Sequence, residues 1–185
     1  MWWTGEQRDD IFWRSSQSGG RATERAKKGL STANSAGDIG ALDPDGHTLL
    51  EFITFELKRG YKDSDIHQIL DRPDKLKPCI MDQWFSQTIN SAQTASTPFW
   101  MLMTRRDRKL DLIWIPESLY RILNHVTEKI LYKLPNSGML NLWWNNKGTH
   151  EELCVYFTER PQFFEFINRE DVENAIEHYR QQVHV

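Results

Sequence analysis

In the first third of the chain, a turn signal between a short strand-like stretch and a long apolar run predicts a β-hairpin. A short strand over 37–42 precedes a long apolar run over 48–58 that is rich in Leu, Ile and Phe, as is typical of a strand buried on both faces. Between them lies Asp43-Pro44-Asp45-Gly46, in which Pro presets φ and Gly accepts a positive φ. We therefore expect a tight turn that joins the two strands.

The pattern of the other segments completes an α/β protein. Helices are expected where apolar residues recur at helical spacing or where capping residues stand, and strands where short apolar runs are bounded by turn residues. The predicted helices cover 22–28, 63–70, 79–95, 116–130 and the stretch after Asn168, and the other predicted strands cover 99–106, 110–115, 153–158 and 163–167. This order favours a central β-sheet flanked by helices.

Composition restricts the class of protein. A chain of 185 residues, 39% of them hydrophobic, suits one domain, or one domain with an appended subdomain. We expect neither a membrane span, which needs about 20 apolar residues, nor a signal peptide. Cys79 and Cys154 are too few and too isolated for a disulfide framework or a zinc site, and the six His have no ligand spacing. A reducing cytoplasm is the expected compartment.

Charge is unevenly distributed along the chain, although the formal net charge is only −3. Residues 14–28 carry five basic side chains and one acid, and 105–109 form a second basic run, whereas acids dominate from Glu151 onward. This distribution predicts one basic and one acidic face, as in proteins that bind nucleic acids. Solvated charge runs on a neutral surface are the alternative.

The candidate chemistry lies in the predicted hairpin. Side chains alternate along a strand, so Glu56 and Lys58 project to the same side, and Asp38 could lie level with them across the turn. Two adjacent carboxylates repel each other unless a cation neutralises them, and Mg²⁺ (or Mn²⁺) is the usual partner of carboxylate and phosphate oxygens. Asp38 and Glu56 would then hold the metal, with the Leu57 carbonyl as a third ligand. Such a centre could cleave a phosphodiester, with the metal polarising the scissile phosphate. Lys58 would orient the water that attacks this phosphate or stabilise the charge that develops on it. An exposed Glu–Lys pair at the sheet rim is the alternative.

Asp38 with Glu56-Leu57-Lys58 resembles the PD-(D/E)xK nuclease superfamily, which includes restriction endonucleases and archaeal-type Holliday junction resolvases. The stretches SGGRATERAKKG, GDI and ELKRGY are also similar to phage and prophage proteins. The resemblance covers roughly 14–115, with Gly37 in place of the superfamily's Pro. It implies a restriction-endonuclease-like core with a mixed sheet over 1–135, followed by a C-terminal α+β extension over 136–185 packed on the same domain.

The resemblance also suggests two further site residues. Many such nucleases have a Glu on the first core helix that completes the metal site, and Glu24 would take this role, unless it pairs within the helix with Arg21 or Lys28. Resolvase-like members have a Gln on the helix after the E-x-K strand. Gln83 is the first choice for this position and Gln87 the second; a solvated amide is the alternative for both.

A nuclease of this kind would bind DNA through basic and hydroxyl side chains near the catalytic strand. The candidates are Arg14, Ser18, Arg21, Arg25, Arg59, Lys62, Arg105 and Arg106. Trp2, Trp3 and Trp13 could stack on bases, form a dimer contact or pack onto the core. We expect the protein to be a Mg²⁺-dependent DNA endonuclease that acts on branched or phage DNA. We also expect that it can form a homodimer. The alternatives are a nuclease fold that binds DNA or protein without cutting, and an unrelated interaction module.

Overall fold

The structure is a computed structural model that describes residues 2–5, 8–14, 37–59, 79–127, 129, 131–146 and 149–183. In these ranges seven strands and five helices are found, besides short 3₁₀ turns at Trp2–Thr4 and Leu131–Lys133. In chain order the elements are β1 (Phe12–Arg14), β2 (Ile39–Ala41), α1 (Pro44–Phe52), β3 (Ile53–Arg59), α2 (Ile80–Ala95), β4 (Phe99–Arg105), β5 (Leu112–Pro116), α3 (Glu117–Thr127), β6 (Gly138–Asn146), β7 (Thr149–Glu159), α4 (Arg160–Phe166) and α5 (Arg169–Val183). The predicted helices over 22–28 and 63–70 lie outside the described residues.

Five strands form one mixed sheet in the order β3-β4-β5-β7-β6. β3 and β4 are parallel, and the other neighbouring pairs are antiparallel. The prediction of an α/β fold with a central mixed sheet flanked by helices is confirmed, and the architecture is consistent with a restriction-endonuclease-like fold. β6 and β7 come from the predicted extension over 136–185 and continue this same sheet. The division of the chain at 135 and 136 stays a prediction.

The sheet is buried on both faces, and each face has its own apolar core. One face packs against α2, with Trp84 and Phe85 of that helix against Trp100, Leu102 and Trp114 of the strands. The opposite core gathers side chains of the other helices, among them Leu49, Phe52, Leu119, Leu123, Phe163, Val172 and Ile176. Burial on both faces explains why β3 and β4 have long apolar runs in the sequence.

The predicted hairpin over 37–58 is wrong, because its second half begins as a helix. α1 occupies Pro44–Phe52, and only Ile53–Arg59 is a strand. Asp43 is the N-cap of α1, and its Oδ1 accepts a hydrogen bond from the Asp45 amide at 3.0 Å. Pro44 follows in the first turn, where its missing N–H costs no helical hydrogen bond. The residues that signalled a turn therefore begin a helix, and β2 pairs with β1 instead of β3.

The predicted strand over 163–167 is also wrong, since α4 spans Arg160–Phe166 with Pro161 in its first turn. Other predictions are confirmed: α2, β4, β5 and α3 lie where expected, and β7 includes the strand predicted over 153–158. The last helix is confirmed together with its cap, because the Asp171 amide donates to Asn168 Oδ1 at 3.0 Å. In the part of the chain that the structure describes, no helix is long and apolar enough to cross a membrane.

The strand directions bring several chain segments to one edge of the sheet. β3 is parallel to β4, and β7 is antiparallel to β5, which is itself antiparallel to β4. β3, β4 and β7 therefore run in the same direction, and their carboxyl ends meet at one edge, together with the start of β5. This edge carries the site described next.

Candidate active site

Glu56 and Lys58 project from β3 toward α2, on the shared face that strand alternation predicts. Glu56 is completely buried, although it is a carboxylate. Lys58 Nζ lies 3.3 Å from Glu56 Oε2, and 13% of the Lys58 side chain is exposed. A buried carboxylate needs partners, because desolvation of its charge is costly. The pair is therefore not an exposed salt bridge at the sheet rim.

Helix α2 supplies two partners of Glu56, which lie one turn apart on the same helix face. Ser91 Oγ donates to Glu56 Oε1 at 2.7 Å. Gln87 Nε2 donates to Glu56 Oε2 at 3.3 Å, and Lys58 Nζ donates to Gln87 Oε1 at 2.8 Å. The structure thus brings Gln87 to the site instead of Gln83, which is exposed one turn earlier. The sequence did not point to Ser91; its only signal was its position four residues after Gln87.

Asp38 reaches the site without a hairpin, because the chain before β2 runs beside the free edge of β3. The Asp38 amide donates to the Phe55 carbonyl at 2.8 Å, and the Leu57 amide donates to Asp38 Oδ2 at 2.8 Å. Asp38 is buried like Glu56. Leu57 therefore holds the Asp38 carboxylate through its backbone amide. The role of the Leu57 carbonyl as a metal ligand stays a prediction.

Gly37 explains why this chain departs from the Pro-Asp pattern. Its φ is +79°, a region that Pro, with φ fixed near −65°, cannot adopt. A Cβ at this position would lie 2.5 Å from the Phe55 carbonyl oxygen. The absence of a side chain lets the backbone approach β3 closely enough for Asp38 to pair with it.

The electrostatics of the site favour a bound cation. Burial raises the pKa of Glu56, and the nearby charge of Asp38 raises it further, whereas Lys58 and Ser91 act in the opposite direction. Two neighbouring buried carboxylates offer oxygen ligands of the kind that Mg²⁺ prefers, and Mg²⁺ is often held by only one or two carboxylates plus substrate phosphates. Asp38 and Glu56 therefore fit a divalent ion.

A third metal-binding side chain is not found in the described ranges, where no group of three His, Cys, Asp or Glu could hold a metal. Glu24, the predicted third acid, lies outside them. Ser18, Arg21, Arg25 and Lys62 also lie outside the described residues.

Three of the predicted DNA-binding arginines meet at a cleft beside Lys58. The cleft has a volume of about 280 Å³. It is lined by Arg14, Leu57, Lys58, Arg59, Met103, Thr104, Arg105, Asp111 and Arg160. Arg106 lies just beyond β4, outside this lining. The sequence did not point to Arg160, which directly follows a strand in the same way as Arg106 follows β4.

Trp2 and Trp3 pack against the core of the protein. Trp3 is buried, and its Nε1 donates to the Asp45 carbonyl at 2.8 Å. Trp2 Nε1 donates to the Ile167 carbonyl at 2.5 Å. Of the alternatives for Trp2 and Trp3, the structure supports packing on the core.

Comparison with known protein families gives a match that covers most of the chain. A family model described as "Phage putative PDDEXK endonuclease" matches residues 2–172. The matched range extends beyond the resemblance over 14–115 and includes β6, β7 and the start of α5. No curated protein and no solved structure gives a significant match.

Proposed function

The chain belongs to the phage PDDEXK endonuclease family, and we propose that it is a divalent-metal-dependent DNA endonuclease with Asp38, Glu56 and Lys58 at its catalytic centre. The observation that carries this proposal is the completely buried Glu56, which has Lys58, Gln87 and Ser91 as hydrogen-bond partners and the charge of Asp38 beside it. Burial of the Glu56 carboxylate beside that of Asp38 costs folding free energy, because both charges lose water and repel each other. A bound cation would lower this cost.

The proposed roles follow from the contacts of each group. Asp38 and Glu56 would hold Mg²⁺ or Mn²⁺ with the Leu57 carbonyl, and Glu24 is a further proposed ligand. A divalent ion supplies, when bound, polarisation of the scissile phosphate and a more acidic water. Lys58 would donate to the phosphate or the attacking water, because its side chain is partly exposed, the residue lines the cleft and Gln87 orients its ammonium.

DNA is the proposed partner, and the basic residues near the catalytic strand would contact its phosphates. Arg14, Arg59 and Arg105 support this, since they line the cleft beside Lys58. Branched DNA is proposed as a substrate beside linear duplex, and a homodimer would allow coordinated cutting of two strands. The phage family supports a role in the cytoplasm of a bacterial host.

The proposal is tested by incubating the protein with supercoiled plasmid and with a synthetic four-way junction, in Mg²⁺, Mn²⁺ or EDTA. We expect metal-dependent cutting that is lost in Asp38→Asn. In Lys58→Ala the rate should fall about 10²- to 10³-fold, the usual cost of removing one donor to developing charge. Lys133→Ala, which changes an exposed lysine outside the cleft, is the matched control and should cut normally.

Metal-independent DNA binding without cutting, unchanged in the variants, would contradict the proposal and favour a non-cutting nuclease fold. Absence of both binding and cutting would leave an unrelated interaction module.

A further inference from the structure

Basic side chains from three strand ends meet at the edge of the sheet that carries the candidate active site. Arg59 ends β3, Arg105 ends β4, and Arg160 directly follows β7. Arg59 and Arg105 are register partners in the parallel pair, so they lie side by side. Arg160 arrives at the same edge because β7 runs parallel to both strands. Residues far apart in sequence are thus collected here by the topology of the sheet.

Asp111, just before β5, fixes the position of two of these arginines. Its Oδ2 accepts a hydrogen bond from Arg160 Nη2 at 2.9 Å, and its Oδ1 lies 3.5 Å from Arg105 Nε. The Arg160 amide also donates to the Asp111 carbonyl at 2.8 Å, which ties the start of α4 to this point. The Asp111 carboxylate is largely covered, since 16% of its side chain is exposed. The Arg105 side chain is 57% exposed and the Arg160 side chain is 41% exposed.

The charge of the cleft exceeds what Asp111 can neutralise. Its lining contains four arginines and Lys58 against the single acid Asp111. A guanidinium has five donors in a planar fork, so one arginine can hold a carboxylate and a phosphate oxygen at the same time. Paired arginines that remain exposed in a cationic cleft suit a polyanion better than an isolated acidic group.

We propose that Arg105 and Arg160, bridged by Asp111, form a second phosphate-binding site that holds a nucleic-acid backbone phosphate next to the one at Lys58. This proposal rests on the proposed nuclease function in one respect: the phosphate at Lys58 is the one to be cleaved only if the protein is a nuclease. The bound strand would then cross the ends of β3, β4 and β7.

The test measures binding of the full chain to a fluorescent 20-base-pair duplex by anisotropy, over a series of KCl concentrations. It is run in EDTA and again in Ca²⁺, with plasmid cutting in Mg²⁺ measured in parallel. Each phosphate contact contributes roughly 0.9 to the slope of log Kd against log salt concentration. We expect Arg160→Gln and Arg105→Gln each to weaken binding and to lower this slope by about one contact.

Arg169→Gln is the matched control, because Arg169 is 40% exposed and paired with Glu173 but lies outside the cleft lining. It should bind as the unaltered protein does. Thermal unfolding verifies that each variant is folded. If Arg160→Gln does not fold, Arg105→Gln decides the result, since its side chain is the more exposed of the two.

Unaltered affinity and slope in the folded arginine variants would overturn the second phosphate site, and cutting by the unaltered protein would show that the nuclease function still stands. The reverse result is distinct: arginine-dependent binding without cutting in any metal would support the phosphate site and contradict the nuclease. No duplex binding in either buffer would overturn the site.

Discussion

Ser91 offers a sharp test of how the site controls the charge of Glu56. Its hydroxyl donates to Glu56 Oε1 at 2.7 Å, and the Glu56 side chain is completely buried. This hydrogen bond lowers the pKa of Glu56, against the larger effect of burial. Ser91→Ala should therefore raise the pKa of Glu56 and make the ionised, metal-binding form harder to reach.

The size of the effect follows from the contact. A hydrogen bond to a charged group is worth about 1.5–3 kcal/mol, and in the variant the buried Glu56 carboxylate would lose this donor. Since about 1.4 kcal/mol corresponds to a factor of ten, the population of ionised Glu56 at acidic pH should fall about 10- to 100-fold. At pH values well above the pKa of Glu56 in both proteins the carboxylate is ionised in both, so the difference should disappear.

The assay is a pH profile of kcat/KM for plasmid nicking at fixed Mg²⁺. We expect the acid limb of Ser91→Ala to move to higher pH, with rates that converge with those of the unaltered protein on the alkaline side. Ser91→Thr keeps the hydroxyl and should restore the profile. Thr94→Ala is the control on the same helix, because Thr94 is exposed and its hydroxyl donates to the Asn90 carbonyl.

Two results would refute this reasoning. A rate that falls by the same factor at every pH would mean that Ser91 only shapes the site. An unchanged profile would mean that Ser91 and Glu56 do not interact in the working protein.

Two further predictions concern stability. Gly37→Ala should lower the free energy of unfolding by about 2 kcal/mol or more, because the new Cβ meets the Phe55 carbonyl at a positive φ, and urea unfolding measures this loss; equal stability would contradict the close approach to β3. Folding raises the pKa of Glu56 above its ordinary 4.5, so the folded protein favours the protonated carboxyl. The stability that this group contributes is therefore fully present below pH 4.5 and is lost as the pH rises through the folded pKa. Glu56→Gln should remove this loss, and its unfolding free energy in EDTA should depend less on pH above 4.5; a pH dependence identical to that of the unaltered protein would count against the raised pKa.

The sequence alone placed some elements correctly, because their signals are local. Strand alternation put Glu56 and Lys58 on one face, and this holds although the strand begins five residues later than predicted. The Asn168 cap is equally local, since it needs only the amide three residues ahead. The Asp43-Pro44 signal was ambiguous for a physical reason. An Asp followed by a Pro suits both a turn and a helix start, and burial of Leu49 and Phe52 against the sheet favours the helix.

The sequence by itself thus determined the α/β class, the apolar strands and the shared face of Glu56 and Lys58. Tertiary structure decided which distant groups join them: Asp38 through its hydrogen bonds to β3, Ser91 and Gln87 through the docking of α2, and Arg160 through the direction of β7. These contacts depend on how separate elements pack around one sheet. Local periodicity specifies which face of an element is apolar, but the neighbour that each polar side chain meets is fixed only when those faces are buried together.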